Sequence, residues 1–222
     1  MPKRLLCLAA IVVVAFVAEA RASALTVLDL LDAPVPYTAS FTVTSDKGTY
    51  QGTVWHAPGR ERRDFDTAGG GQAVLLRRDT GAAYLLKPSG RWYVGLALDA
   101  AAGLAGGLHA MAVTRTRVGE ETVAGTRATR YRIDATAPRG GRFRGHAWIS
   151  ADGILVKAEG DVTTPGGRTM PVATALSGIK RGRVEETRFE LPAGWFGVDL
   201  RSIPAERIEQ AVEGLRPMLE GR

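Results

Sequence analysis

The clearest pattern in the chain is an alternation of apolar and polar residues between Tyr37 and Phe65. Tyr37, Ala39, Phe41 and Val43 fall at every second position, and a threonine or serine stands between each pair. A period of two is typical of a β-strand that buries one face and exposes the other. This stretch therefore predicts a sheet with one apolar face.

Two turn signals divide the same stretch into three antiparallel strands. Asp46-Lys47-Gly48 suits a short hairpin loop, because glycine adopts a positive φ at little cost. Pro58-Gly59 is typical of a type II turn. Gly119 to Gly125 predicts a further turn. Later runs with strand character extend the predicted sheet, and they are residues 73–76, 83–86, 92–94, 113–118, 129–133, 142–149, 154–162 and 170–181.

Three other segments have the residue spacing of helices. Residues 25–31 predict a short helix. Residues 96–111 are rich in alanine, leucine and glycine, and their helical spacing places Leu104 and Leu108 on one apolar face. Because glycine weakens a helix, this segment is either a movable cover or an ordinary helix packed on the sheet. The tail predicts a third helix, with Ser202 as its N-cap.

The first 24 residues have the composition of a secretory signal peptide. A basic start is followed by an apolar run and by two small-residue motifs that predict cleavage after Ala22 or Ala24. An uncleaved anchor is the alternative, although the apolar run is shorter than the ~20 residues of a spanning helix. Cys7, the only cysteine, lies inside this segment. We expect residues 1–24 to be a signal peptide, residues 25–200 one domain and residues 201–222 a C-terminal helix.

The chain carries a formal net charge of +6, and its arginines are clustered. Such clusters indicate either the solvated face of a sheet or a surface that contacts anionic lipid. The predicted export signal and the lack of a nucleic-acid motif argue against a nucleic-acid partner. The clusters are Arg60, Arg62 and Arg63; Arg77 and Arg78; Arg127, Arg130 and Arg132; and Arg139, Arg142 and Arg144.

The sequence offers little that indicates catalysis. His56, His109 and His146 have no spacing typical of metal ligands, and no G-x-S-x-G motif is present. The adjacent glutamates at 120–121 and 185–186 point to opposite sides of a strand, so neither pair forms a carboxylate dyad. A hydrolase with carboxylates that converge from distant strands is the third hypothesis, after the two functions given below. We expect no catalytic residue, no metal and no cofactor.

The stretch that opens the domain also carries a family resemblance. Its ASFT segment, glycine-containing hairpin, Val54-Trp55 pair and arginine-rich third strand resemble the periplasmic lipoprotein-carrier superfamily (LolA/LolB-like). Asp79-Thr80-Gly81 before AAYLLKP and the later FELPAGW segment fit the same resemblance, which covers residues 25–200. One departure is Ala57, where these carriers have a basic residue before the proline. The chain is therefore similar to a divergent member.

The resemblance implies a mainly β (α+β) fold: a single curved antiparallel sheet, an open half-barrel, with a few helices across its concave face. It also implies a periplasmic carrier or sensor that binds a lipid or the acyl chains of a lipoprotein, and we expect a monomer. The alternative function is a ligand-free envelope scaffold or interaction protein. The residues expected to line the cavity are Phe41, Val43, Tyr50, Val54, Leu75, Leu85, Leu104, Leu108, Ile154 and Val156.

Overall fold

The computed structural model describes residues 25–67, 71–104, 111–137, 140–204 and 207–208. The predicted signal peptide and most of the predicted C-terminal helix lie outside this part of the chain. Within the described part, residues 201–204 form a turn and not the start of a helix at Ser202.

The described residues form one twelve-stranded sheet and two helices. The predicted β-rich class and single open sheet are confirmed. The helices are α1 (Val27–Leu31) and α2 (Leu98–Leu104). The strands are β1 (Tyr37–Ser45), β2 (Gly48–Ala57), β3 (Arg60–Phe65), β4 (Gln72–Arg77), β5 (Ala82–Lys87), β6 (Trp92–Ala97), β7 (Ala112–Val123), β8 (Thr126–Thr136), β9 (Arg142–Ser150), β10 (Leu155–Thr163), β11 (Thr169–Arg181) and β12 (Phe196–Asp199).

The sheet has the order β12-β6-β5-β4-β3-β2-β1-β11-β10-β9-β8-β7. Each strand pairs antiparallel with its neighbours, except that β12 runs parallel to β6. β7 and β12 are the two edges, and the sheet does not close into a barrel. The chain therefore forms two meanders, β1–β6 and β7–β11, that meet where β1 pairs with β11.

The opening hairpins form as the turn residues predict. Gly48 has a φ of 125° and closes the β1–β2 hairpin, and Gly59 has a φ of 77° in the β2–β3 turn. Both values lie where an L side chain is strained, so glycine is required there. Tyr37 and Phe41 are buried on one face of β1 as the alternation predicts.

Helix α1 is short, and its N-terminus is fixed by a capping box. Thr26 accepts a hydrogen bond from the backbone of Asp29, and the Asp29 carboxylate accepts from the backbone of Thr26. Just before the helix, the backbone nitrogen of Val113 donates to the carbonyl of Leu25 over 2.7 Å. Leu30 packs against the apolar cluster on β7–β9. The beginning of the domain is thus tied to strand β7, which forms one edge of the sheet.

Two sequence predictions differ from the structure. The turn predicted from Gly119 is wrong: β7 continues to Val123 with an irregularity between Arg117 and Gly119, and the turn is at Ala124-Gly125. A glycine inside a strand often marks a bulge, which explains the difference. The helix predicted over residues 96–111 begins only at Leu98, because β6 continues to Ala97. Residues 105–110 lie outside the described residues.

Both faces of the sheet carry apolar clusters. We call the face that bears Phe41, Val54 and Ile133 the α1 face, because α1 and the segment after it pack there. We call the opposite face, which bears Leu75 and Leu86, the strap face. Residues 184–195, named the strap, cover it between β2 and β6 through Val184, Phe189, Leu191 and Trp195.

Candidate apolar binding face

A row of residues crosses the α1 face from the centre of the sheet to its β12 edge. Directly paired residues share a face, so the register fixes the members of this row. The inner members are buried and the outer members are partly exposed: Val54 is fully buried, whereas Leu85 is 41% exposed and Val198 36% exposed. In order across the sheet, the row consists of Ala39, Val54, Arg63, Val74, Leu85, Val94 and Val198.

A second pair of side chains continues this apolar surface along the edge. Phe196 is opposite Trp92 in the parallel β6–β12 pair, and Phe196 is 70% exposed. Tyr50 lies on the same side of the row as Phe196, near the β1–β2 hairpin, where it is opposite Val43 and is 41% exposed. Exposed apolar side chains that are neighbours on one face mark a binding surface more strongly than scattered ones do. We name this surface, from Tyr50 through Leu85 to Phe196, the apolar face; two polar residues, Gln72 and Lys87, lie on it between Phe65 and Trp92.

One charged residue interrupts the row, and its charge is compensated inside the protein. The Nε atom of Arg63 donates to Oε1 of Glu61 over 2.7 Å, and its guanidinium lies 5.4 Å from the centroid of the Phe41 ring. Burial alone would lower the pKa of Arg63, but the charge of Glu61 and the hydrogen bond to it outweigh burial and raise it. Arg63 is therefore a neutralised part of the apolar row.

The ten residues predicted to line a cavity do not all share one surface. Phe41, Val54 and Ile154 are brought together in one buried cluster, with Val43 packed against it. Tyr50 and Leu85 lie on the α1 face and are exposed. The structure thus places six of the ten on the α1 face or packed against it; the side chain of Leu104 and all of Leu108 lie outside the described residues.

Two of the predicted residues lie elsewhere. Leu75 is opposite Tyr84 on the strap face, where it is fully buried with Leu86 and Phe189. Val156 packs with Trp148 and Ala128 in a separate buried cluster beside an irregularity in the β9–β10 pairing. Period-two counting within one strand cannot relate the faces of two strands, because that relation depends on the register between them.

Other members of the apolar face were missed by the sequence analysis. Val198 and Phe196 belong to a four-residue strand after the strap, and only their two-residue spacing signals it. The sequence predicts a strand at Val94, but only the β5–β6 register shows that Val94 is opposite Leu85.

Most of the clustered arginines bind carboxylates or carbonyls of the same chain. Arg60 pairs with Glu186 in the strap, and Arg77 donates to the carbonyl of Phe189 over 3.2 Å. The other pairs are Arg62–Asp64, Arg63–Glu61, Arg77–Asp79, Arg78–Asp29, Arg127–Glu120, Arg130–Glu121 and Arg142 and Arg144 with Asp134. Exposed pairs of this kind contribute little to stability, but they reduce the charge available to an anionic surface.

The described part of the chain contains no candidate metal site. There, no group of three or more His, Cys, Asp or Glu side chains has the arrangement to hold a metal ion. His56 is buried on the α1 face and His146 lies on β9, while His109 lies outside the described residues. No helix among the described residues is long and apolar enough to cross a bilayer.

Comparison with known proteins gives a likeness in fold. No protein-family model matches the chain, and no curated protein matches it. An uncharacterized conserved protein from Thermus thermophilus is similar over 78% of this chain and 96% of its own, at 12% identity and a TM-score of 0.50. At 12% sequence identity, this likeness shows a shared fold and nothing about function.

Two further solved structures are similar at lower TM-scores. The MucA/MucB complex from Pseudomonas aeruginosa matches at 17% identity and a TM-score of 0.45, over 75% of this chain and 60% of that one. A LolA superfamily protein from Nitrosomonas europaea matches at 12% identity and a TM-score of 0.38, over 75% and 98%.

Proposed function

We propose that this protein is a non-enzymatic carrier or sensor of the bacterial envelope that binds an apolar ligand, a lipid or the acyl chains of a lipoprotein. The observation that carries the proposal is the row that runs from buried Val54 to exposed Leu85 and Val198. An acyl chain lying along this row removes apolar side chains from water, at roughly 25 cal/mol per Å² of apolar surface.

The apolar face supports binding of a chain-like ligand for a second reason. Arg63, the charge within the row, is paired with Glu61, so an acyl chain would not have to desolvate an unpaired cation. The predicted export signal and the likeness to the LolA superfamily protein and to MucB are consistent with a periplasmic location. Contact of the remaining arginines with an anionic membrane and a monomeric state stay predictions.

A second candidate is a ligand-free interaction protein. It is favoured by Phe196, which is 70% exposed at the very edge of the sheet, where a protein partner could contact it more easily than a buried lipid could. Aromatic residues, Phe among them, are enriched in protein interfaces relative to the rest of the surface.

Native mass spectrometry of protein purified from cells tests the proposal. We expect a population that carries one or more lipids, released by collisional activation and identified by mass. A ligand-free mass that is also unchanged after addition of phospholipid and fatty acid would refute the carrier function and leave the interaction protein.

A further inference from the structure

A buried histidine on β2 contacts the segment that follows helix α1. His56 is 1% exposed, and its ring stacks on Tyr37 with 4.9 Å between the ring centroids. Its Nε2 atom lies 2.8 Å from the carbonyl oxygen of Ala33, and its Nδ1 atom lies 3.3 Å from Oε2 of Glu61. Each ring nitrogen therefore faces an oxygen.

Both of these oxygens accept hydrogen bonds. The carbonyl of Ala33 can only accept. Burial alone would raise the pKa of Glu61, but the charge of Arg63 and the hydrogen bonds from His56 and Arg63 outweigh burial and hold it below its usual range. Glu61 is thus a carboxylate, which accepts and does not donate. A neutral imidazole has one N–H and satisfies one of the two oxygens, whereas an imidazolium satisfies both.

The charges around His56 also match an imidazolium. On the segment after α1, Oδ1 of Asp32 lies 3.8 Å from Nε2 of His56; β3 contributes Glu61 with Arg63 behind it, and β1 contributes Tyr37. Arg78 approaches Asp32 at 3.4 Å and also pairs with Asp29 of α1. With a charged ring, three cations face three carboxylates in this cluster: His56, Arg63 and Arg78 face Glu61, Asp32 and Asp29.

We propose that His56 is a proton-dependent clamp that fixes the segment after α1 to the β2–β3 hairpin. When the pH rises and the ring loses one proton, one of its two hydrogen bonds is lost. Either the carbonyl of Ala33 or the carboxylate of Glu61 then faces the lone pair of a ring nitrogen. The inference goes beyond the proposed function and requires no ligand.

The contacts that remain decide which part of the structure responds. The Asp32 side chain still accepts from the backbone of Gly59 over 2.8 Å, and Arg78 still donates to the carbonyl of Leu28 over 2.7 Å. The helix itself has only five residues, so it depends on these attachments and on packing for its stability. Loss of the clamp therefore loosens α1 and leaves the sheet intact.

A pH titration by NMR on the exported chain tests the clamp. Ring nitrogen shifts report whether His56 carries one proton or two, and amide exchange reports the stability of α1 through Leu30 and Asp32, whose amides bond within the helix. On loss of the second ring proton we expect the protection factors of these amides to fall roughly threefold to tenfold, the equivalent of one hydrogen bond. The amides of β9, residues 142–150, serve as the internal reference.

Two variants separate the clamp from a merely structural histidine. Glu61→Gln replaces the carboxylate by an amide that can accept or donate, so the pH dependence of α1 protection should disappear while the fold is kept. His146→Gln, which changes a histidine on β9, should leave the pH dependence unchanged. A singly protonated His56 at every pH where the protein is folded would overturn the proposal. So would α1 protection that does not respond to the proton, or a pH dependence that survives Glu61→Gln.

Discussion

Gly145 and Gly160 face each other directly across strands β9 and β10. A Cβ atom built on either residue would lie 2.7 Å from the Cα atom of the other and closer still to a carbonyl oxygen of the neighbouring strand. The two strands thus approach more closely than any pair of larger residues allows. The β7–β11 half of the sheet depends on this approach, since buried Ile133 and Ala147 pack beside it on the α1 face.

Gly160→Ala should destabilise the protein, because the added methyl group would lie 2.2 Å from the carbonyl oxygen of Arg144 and the backbone must shift. We expect a loss of about 1–3 kcal/mol in the free energy of unfolding by chemical denaturation. Gly119→Ala on β7 is the matched control, since a Cβ there meets nothing within 4 Å. Equal losses for the two variants would contradict the close approach.

Phe189→Ala tests whether the strap is part of the core. Phe189 is 1% exposed against Leu75 and Leu86, and its removal should cost about 3–5 kcal/mol of unfolding free energy. The control is Phe196→Ala in the neighbouring strand, which should change the stability by less than about 0.5 kcal/mol because Phe196 is 70% exposed. If Phe189→Ala lowered the unfolding free energy as little as Phe196→Ala does, the strap would not stabilise the strap face.

The buried carboxylate of Glu61 should make the free energy of unfolding depend on pH in the acid range. Its pKa in the folded protein is lowered from 4.5, so it contributes stability above the unfolded-state value that is lost as the pH falls through the folded-state value. Unfolding free energies measured from pH 7 downward should therefore decline below about pH 4.5 more steeply in the native sequence than in Glu61→Gln. The exposed Glu186→Gln is the control. If the unfolding free energy of Glu61→Gln declined equally steeply in acid, groups other than Glu61 would be responsible for the decline.

The alternating strands, their tight turns and the open sheet could be predicted because each is a local property. Tyr37, Phe41 and Val54 are buried where their two-residue spacing places them, and Gly48 and Gly59 occupy the turn positions that need a positive φ. These features require no knowledge of which strands are neighbours.

The second buried face and the ionic cluster could not be predicted, because both depend on partners distant in sequence. Leu75 and Leu85 look equivalent on their own strands, yet the β4–β5 register puts them on opposite faces. The strap covers Leu75 without any periodic pattern of its own. A weak signal did exist for His56 and Glu61: they flank the Pro58-Gly59 turn symmetrically, which places them opposite each other in a two-residue hairpin.

The export prediction has a direct test. Intact-mass measurement and N-terminal sequencing of protein from the periplasmic fraction should give a chain that begins at Ser23 or Leu25. Recovery of a chain that begins at Met1 in the membrane fraction would instead indicate an uncleaved anchor.

Fatty-acid binding by two matched variants tests the central claim, that the apolar face binds an acyl chain. Leu85→Asp places a charge in the middle of the apolar row, whereas Val118→Asp places the same charge on edge strand β7, where Val118 is 50% exposed. In a fluorescence titration with a labelled fatty acid, we expect Leu85→Asp to weaken binding at least tenfold, since the charge must lose water next to the chain. Val118→Asp should stay within about twofold of the native sequence. Binding that is equal in all three proteins, or absent from the native one, would contradict the claim.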